Sequence, residues 1–86
     1  MINPNFKNKF LLKAKSGEAF KSFMEKISMY LFGVTEYALY RHTDYYYYNE
    51  IGENYYRFEC TKIAFDLFLK RLKYYPDIDI VDAKRG

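Results

Sequence analysis

Residues 45–56 read YYYYNEIGENYY, so that six tyrosines flank the short segment NEIGEN. Tyrosine fits the pleated surface of a strand, and Gly52 supplies a residue that favours a turn. We therefore predict two antiparallel strands joined by a hairpin. A large apolar ring that carries a hydroxyl suits a half-exposed face or an interface better than a dry core. The hairpin is thus also the first candidate for a binding surface.

The chain before the hairpin predicts a strand and a helix. Residues 9–15, KFLLKAK, alternate between the two sides of the chain as a half-buried strand does. Ser16 is a favoured helix-capping residue, and apolar residues then recur at helical spacing until Gly33, a common helix stop. Residues 35–50 lack that spacing and are rich in Tyr and Thr, so we expect one long second strand, either continuous or bulged near Thr43.

The chain after the hairpin repeats the pattern and completes the fold prediction. A third strand is expected at residues 54–61, a helix with apolar positions from Ile63 to Leu72, and a closing strand at residues 77–84. The order is a split β-α-β-β-α-β arrangement. It predicts an α+β, ferredoxin-like domain with two helices on one face of a four-stranded antiparallel sheet, in the order 4-1-3-2.

Length and composition limit the chain to one domain. With 86 residues, half of them hydrophobic, it can build one core and not two. We expect residues 1–8 to be a flexible N-terminal arm and residues 9–86 to be the domain. Cys60 is the only cysteine, so no internal disulfide forms, and no signal peptide or membrane span is evident. We expect a cytoplasmic protein.

The uncovered face of the predicted sheet is the candidate functional surface. Alternation in the third strand places Tyr55 and Arg57 outside. Pairing of Asn49 with Asn54 across the hairpin would turn alternate residues of the second strand outside as well, whereas a one-residue slip reverses that set. The first strand and its end add lysines. The candidate partner-binding residues are therefore Tyr46, Tyr48, Tyr55, Arg57, Lys13, Lys15 and His42.

Such a face resembles that of RNA-recognition domains of the same fold, which stack bases on rings of the first and third strands. Residues 54–62, NYYRFECTK, carry Arg57 and Phe58 of that family's third-strand pattern. They lack its glycines and carry the acidic Glu59, and Leu11 stands where a stacking ring belongs. The resemblance implies single-stranded RNA or DNA as an alternative ligand. A further alternative is that the tyrosines only form cross-strand pairs or a dimer seam.

Catalytic chemistry has little support. His42 is the only histidine, and Cys60 falls on the inward side of its strand. Asp77 and Asp79 flank Ile78 as the exposed side of a strand does, which favours a solvated strand over a site for a hard cation. The segment KAKSGEAF lacks both the glycine-rich cradle with arginine of acylphosphatases and the CxxC of heavy-metal carriers. We expect no enzyme, no metal and no cofactor.

The predicted function is therefore binding. A net charge of +3 is too small for a dedicated duplex-DNA binder. A short, cysteine-poor domain rich in Lys and Tyr resembles, in general style, small accessory proteins of phages and mobile elements, including anti-CRISPR inhibitors. We expect it to dock on a larger protein through the sheet face or through the hairpin between the second and third strands. We also expect a homodimer at micromolar concentration, through that face or a free edge of the second strand.

Overall fold

The computed structural model describes residues 4–86 and has the predicted split arrangement. Four strands form one antiparallel sheet in the order β2-β3-β1-β4, which confirms the ferredoxin-like prediction and its strand order. Along the chain the elements are β1 (Asn8–Ala14), α1 (Gly17–Phe32), β2 (Tyr46–Gly52), β3 (Tyr55–Cys60), α2 (Lys62–Leu72) and β4 (Ile78–Lys84).

Local capping fixes the helix ends where the sequence predicts them. The Ser16 hydroxyl accepts a hydrogen bond of 3.1 Å from the Ala19 amide and so caps the start of α1. At the other end Gly33 adopts the left-handed conformation, with φ of 76°, and its N–H donates to the Met29 carbonyl at 2.9 Å. The Thr61 side chain caps α2 as Ser16 caps α1.

The core lies between the inner side of the sheet and the two helices. Phe58 is at its centre, with its ring centroid 4.8 Å from that of Phe10, 5.1 Å from Tyr48 and 4.9 Å from Phe68. Burial of each such ring contributes about 1.5–3 kcal/mol, so this aromatic layer supplies much of the stability of a small domain. On α2, Ile63 lies outside this core and is 66% exposed.

The second strand is shorter than predicted. It begins at Tyr46, and residues 34–45 form a loop of consecutive turns, which we call the turn loop. Its backbone is bonded by side chains from the core: Ser28 Oγ donates to the Val34 carbonyl at 2.7 Å. The Tyr46 hydroxyl donates to Tyr37 O at 3.3 Å and the Tyr48 hydroxyl to Leu39 O at 3.1 Å. Tyr and Thr favour strands because their side chains pack well on a sheet. In residues 34–45 that preference did not determine the backbone conformation.

The predicted arm at residues 1–8 also needs revision. Residues 1–3 lie outside the part of the chain that the structure describes. Phe6, however, is buried, and Asn8 opens β1 with its Nδ2 atom donating to the Cys60 carbonyl at 3.4 Å. The fold therefore begins before Lys9, because an apolar ring and a polar side chain of the predicted arm both have partners in the domain.

Candidate binding face

The sheet has one covered and one uncovered side. The helices pack on the side that carries Phe10, Leu12 and Phe58, which are all buried. Alternate residues of each strand point away from the helices and stay exposed or half-buried. We call this second side the outer face. Its members are Lys9, Leu11, Lys13, Tyr47, Asn49, Tyr55, Arg57, Glu59, Asp79, Asp82 and Lys84.

The antiparallel register arranges the outer face in three rows across the sheet. From β2 to β4 these rows are Tyr47, Glu59, Lys9 and Lys84; then Asn49, Arg57, Leu11 and Asp82; then Tyr55, Lys13 and Asp79. Directly opposed residues in such ladders have Cβ atoms about 5 Å apart, so neighbours within a row are in reach of one another. A partner lying on the sheet would meet all three rows.

Charges of both signs are mixed over the outer face. It carries four basic and three acidic side chains, a net charge of +1. Lys9 Nζ lies 4.0 Å from Glu59 Oε1 across the first row. An exposed pair of this kind contributes about 0–1 kcal/mol to stability, so its charges are free to rearrange on binding. The face is thus a mixed-charge surface and not a basic groove.

The centre of the outer face holds the predicted residues that the structure brings together. Lys13, Tyr55 and Arg57 all lie there, as expected, and Lys13 Nζ is 5.4 Å from the centroid of the Tyr55 ring. Arg57 is exposed beside the half-buried Leu11. A cavity of about 170 Å³ adjoins this centre, and it is lined by Lys9, Phe10, Leu11, Arg57, Asp82 and Lys84.

Tyr46 and Tyr48, by contrast, were placed on the wrong side. Their exposed fractions are 0% and 4%, and they lie opposite Cys60 and Phe58 on the inner side of the sheet. Residues this deeply buried have no surface to offer a partner. Both predicted partner contacts are therefore withdrawn.

The hairpin geometry explains this error. Gly52 pairs with Tyr55, so the turn has only two residues, and Asn54 adopts the left-handed conformation with φ of 64° that Asn tolerates. The register then shifts by one residue between Glu50 and Gly52, which is a β-bulge at Ile51. Asn49 therefore pairs with Arg57 and not with Asn54 as predicted. This register turns Tyr46 and Tyr48 inward and Tyr47 outward.

Burial also changes the chemistry of the inner tyrosines. Desolvation raises the pKa of Tyr46, Tyr48 and Tyr56 above the ordinary value of 10.0. Their hydroxyls therefore stay protonated over the physiological range. In Tyr46 and Tyr48 they serve as hydrogen-bond donors to the turn loop.

Two further predicted residues lie beside the outer face and not on it. Lys15 follows the end of β1, and its Nζ is 3.4 Å from Asp77 Oδ1 in an exposed ion pair. His42 lies in the turn loop and forms a single bridge to Tyr47, with the two ring centroids 5.7 Å apart. His42 thus adjoins the outer face at the edge formed by β2.

Several members of the face were not among the predicted partner-binding residues. Tyr47 and Asn49 belong to it because of the bulge, and Asp79 and Asp82 belong to it because β4 lies beside β1. Asn54 favours a two-residue turn, but such a turn without the bulge would place Tyr48 and not Tyr47 on this face, so no local signal predicted the first pair. Asp79 followed from the predicted strand order and alternation, whereas Asp82 reaches this face only because the β1-β4 register shifts between Leu11 and Leu12.

Cys60 and the acidic side chains are the remaining candidates for reactive or metal-binding groups. Burial raises the pKa of the Cys60 thiol to about 12, so it is protonated and enclosed in the core. Within residues 4–86 no three His, Cys, Asp or Glu residues gather where they could hold a metal ion. None of the helices there is both long and apolar enough to cross a membrane.

No protein family, curated protein or solved structure matches this chain.

Proposed function

We propose that the chain is a non-catalytic binding module that docks on a larger protein through the outer face, with the β2-β3 hairpin alongside. The middle of the outer face carries the proposal: Arg57 is exposed there between Asn49 and Leu11. Tyr55 follows on the same side of β3. Arg and Tyr are the residue types most enriched among interface residues that dominate binding energy.

The surroundings of Arg57 favour a protein over a polyanion. Acidic groups lie in every row, and Glu59 shares the same side of the same strand. Mixed charge of this kind selects a partner with complementary charges, whereas each carboxylate on the face opposes a chain of phosphates. Because the strands fix the backbone that carries these side chains, little backbone entropy is lost on binding.

A pull-down from nuclease-treated source cells tests this proposal. We expect a protein partner bound by the wild type, and a loss of about 1–4 kcal/mol in its affinity for Tyr55→Ala and for Arg57→Ala. Tyr74→Ala is the matched control, because Tyr74 is 64% exposed and lies beyond the end of α2. A partner retained equally by all four proteins would remove the outer face from the proposal.

Single-stranded nucleic acid is the second candidate, favoured by two tyrosines and several basic groups on one face. Tyr47 and Tyr55 lie in the first and third rows, so they are separated by about 13 Å along the strands. Stacked bases rise by about 3.4 Å, so adjacent bases cannot occupy both rings without unstacking.

Titration of labelled single-stranded RNA and DNA at two salt concentrations separates the two candidates. Phosphate binding would give a plot of log affinity against log salt concentration with a slope of about −0.7 per phosphate contacted. We expect no binding tighter than about 10 μM at physiological salt, because the charge of the face supports only non-specific contacts. Submicromolar, salt-sensitive binding that is lost in Tyr55→Ala would reverse the order of the candidates.

Self-association through a sheet edge is a further part of the proposal. The outer edge of β2 is partly occupied, since Tyr48 N donates to Arg41 O at 2.8 Å and Thr43 N to Tyr46 O at 2.9 Å. Among the described residues, β4 is the edge without such a cover, and Val81 is exposed on it. We therefore place the seam of the proposed homodimer at β4. A cytoplasmic location and an origin in a phage or mobile element stay predictions.

A further inference from the structure

A second surface feature lies at the β2 edge, formed by the turn loop and the end of α1. It is a cavity of about 310 Å³, at the lower end of the range for ligand pockets. We call it the aromatic pocket, and its lining residues are Phe32, Tyr37, Tyr40, His42, Thr43 and Asp44. Four of these six side chains are rings.

The rings stand at steep angles to one another. The centroids of Phe32 and Tyr37 are 4.9 Å apart with an interplanar angle of 61°. Those of Tyr37 and Tyr40 are 5.0 Å apart with an angle of 84°. Successive rings at such angles form corners, and a group entering a corner faces more than one π surface. The negative face of an aromatic ring attracts a cation within about 6 Å of its centroid.

The charge of the pocket matches a cationic ligand. Asp44 supplies a carboxylate to its lining, and neither Lys nor Arg lines it. The nearest arginine in sequence, Arg41, is directed elsewhere: its guanidinium carbon lies 5.8 Å from the centroid of the Tyr48 ring, and it lines a different cavity with Leu39 and Glu50. A cation would thus meet π faces and one carboxylate.

The walls of the pocket are held in place before any ligand binds. Hydrogen bonds from the buried Tyr46 and Tyr48 hydroxyls fix the carbonyls of Tyr37 and Leu39. Thr43 Oγ1 accepts from the amides of Tyr45 and Tyr46 at 3.1 and 3.2 Å, which fixes the other end of the turn loop. A pre-organised site loses less conformational entropy on binding. This also gives the inner tyrosines a reason to be Tyr and not Phe.

We propose that the aromatic pocket binds an alkylated ammonium group, as presented by a choline-like small molecule or by a methylated lysine side chain. Methyl groups spread the charge and lower the hydration of the ion, so the cation enters an aromatic corner more readily than a primary ammonium does. The site is independent of the proposed function, because it does not use the centre of the outer face.

Titration with choline and with a trimethyl-lysine peptide, followed by NMR shifts of the tyrosine ring protons, tests the proposal. The carbon isostere 3,3-dimethylbutan-1-ol and the unmodified lysine peptide are the matched ligand controls. We expect saturable binding of at least one of the two cations, with an affinity at least about ten times that of its control ligand. Equal binding of the neutral isostere would show a merely hydrophobic cavity and overturn the proposal. The two cation arms distinguish a small molecule from a peptide.

Protein variants locate the site. Tyr40→Ala should weaken cation binding about tenfold, whereas Tyr40→Phe, which keeps the ring, should leave it unchanged. Asp44→Asn should weaken it about threefold, since Asp44 is exposed and water screens its attraction to a cation. Tyr74→Ala and Arg57→Ala should have no effect, and they separate this site from the outer face. Full binding by Tyr40→Ala, with its fold confirmed by circular dichroism, would contradict the assignment.

Discussion

The inner and outer tyrosines of the sheet are the same residue type in opposite roles. Tyr46 and Tyr48 are enclosed in the core and donate hydrogen bonds to the turn loop. Tyr47, between them in sequence, is half-buried on the outer face, and its hydroxyl donates to Asn49 Oδ1 at 3.0 Å in an exposed contact. A run of tyrosines is thus two interleaved sets. Only the strand register separates them.

The largest expected difference between the two sets is in stability. Tyr46→Ala should lower the free energy of unfolding by about 3–5 kcal/mol, because it empties a fully enclosed site in the core. Tyr47→Ala, the matched change one residue along, should cost less than about 1 kcal/mol. Urea unfolding of both variants measures the difference. Similar losses in the two would contradict the register at β2.

The general fold was predictable because its signals are local. Alternation in β1, helical spacing in α1 and the caps at Ser16 and Gly33 each depend on a few neighbouring residues. The order of the elements then leaves few topologies, so the strand order followed. For the same reason Tyr55, Arg57 and Lys13 were placed correctly: they lie on the two central strands, whose alternation needs no knowledge of a turn.

The side of β2 that faces the core was not predictable in the same way. It depends on the bulge at Ile51, because the two-residue turn at Asn54 by itself keeps the predicted alternation, whereas the extra residue of the bulge reverses it. The prediction of a strand where the turn loop lies failed for a different reason. Hydroxyls from Tyr46 and Tyr48 bond its backbone at a distance of nine residues, and no local pattern reports such contacts.

The next expected effect is a dependence on alkaline pH. Because burial raises the pKa of Tyr46 in the folded state, its contribution is fully present below about pH 10 and is lost as the pH rises from there through the folded pKa. Above pH 10, Tyr46→Phe should therefore lose stability less steeply than the wild type, by up to about 1.4 kcal/mol per pH unit. Unfolding at pH 10–11 measures the slopes.

The same pair of proteins at pH 8 supplies the control for this experiment. There the tyrosine hydroxyl is protonated in both the folded and unfolded states, so the two proteins differ only by the hydrogen bond to Tyr37 O. Parallel slopes above pH 10 would mean that the Tyr46 hydroxyl reaches solvent, which would contradict its assignment to the buried inner set.

A smaller effect is expected from removing single hydroxyls. Tyr48→Phe should cost about 0.5–1.5 kcal/mol, because it deletes the bond to the Leu39 carbonyl, and it should speed hydrogen exchange in the turn loop. Tyr47→Phe deletes only the exposed bond to Asn49 and should change neither quantity measurably. Unaltered exchange in Tyr48→Phe would show that the loop does not depend on the inner tyrosines.

The smallest expected effect is that of an outer tyrosine on self-association. Light scattering at micromolar concentration should give a mass near twice the 10.5 kDa of one chain, and Tyr55→Ala should leave it unchanged because the proposed seam is at β4.

Val81→Lys should lower the mass to that of one chain, since a charge on an edge strand opposes pairing. Loss of the dimer in Tyr55→Ala would instead place the seam on the outer face, and the outer tyrosines would then serve a second copy of this chain and not a different partner. A mass of one chain at every concentration would remove the homodimer altogether.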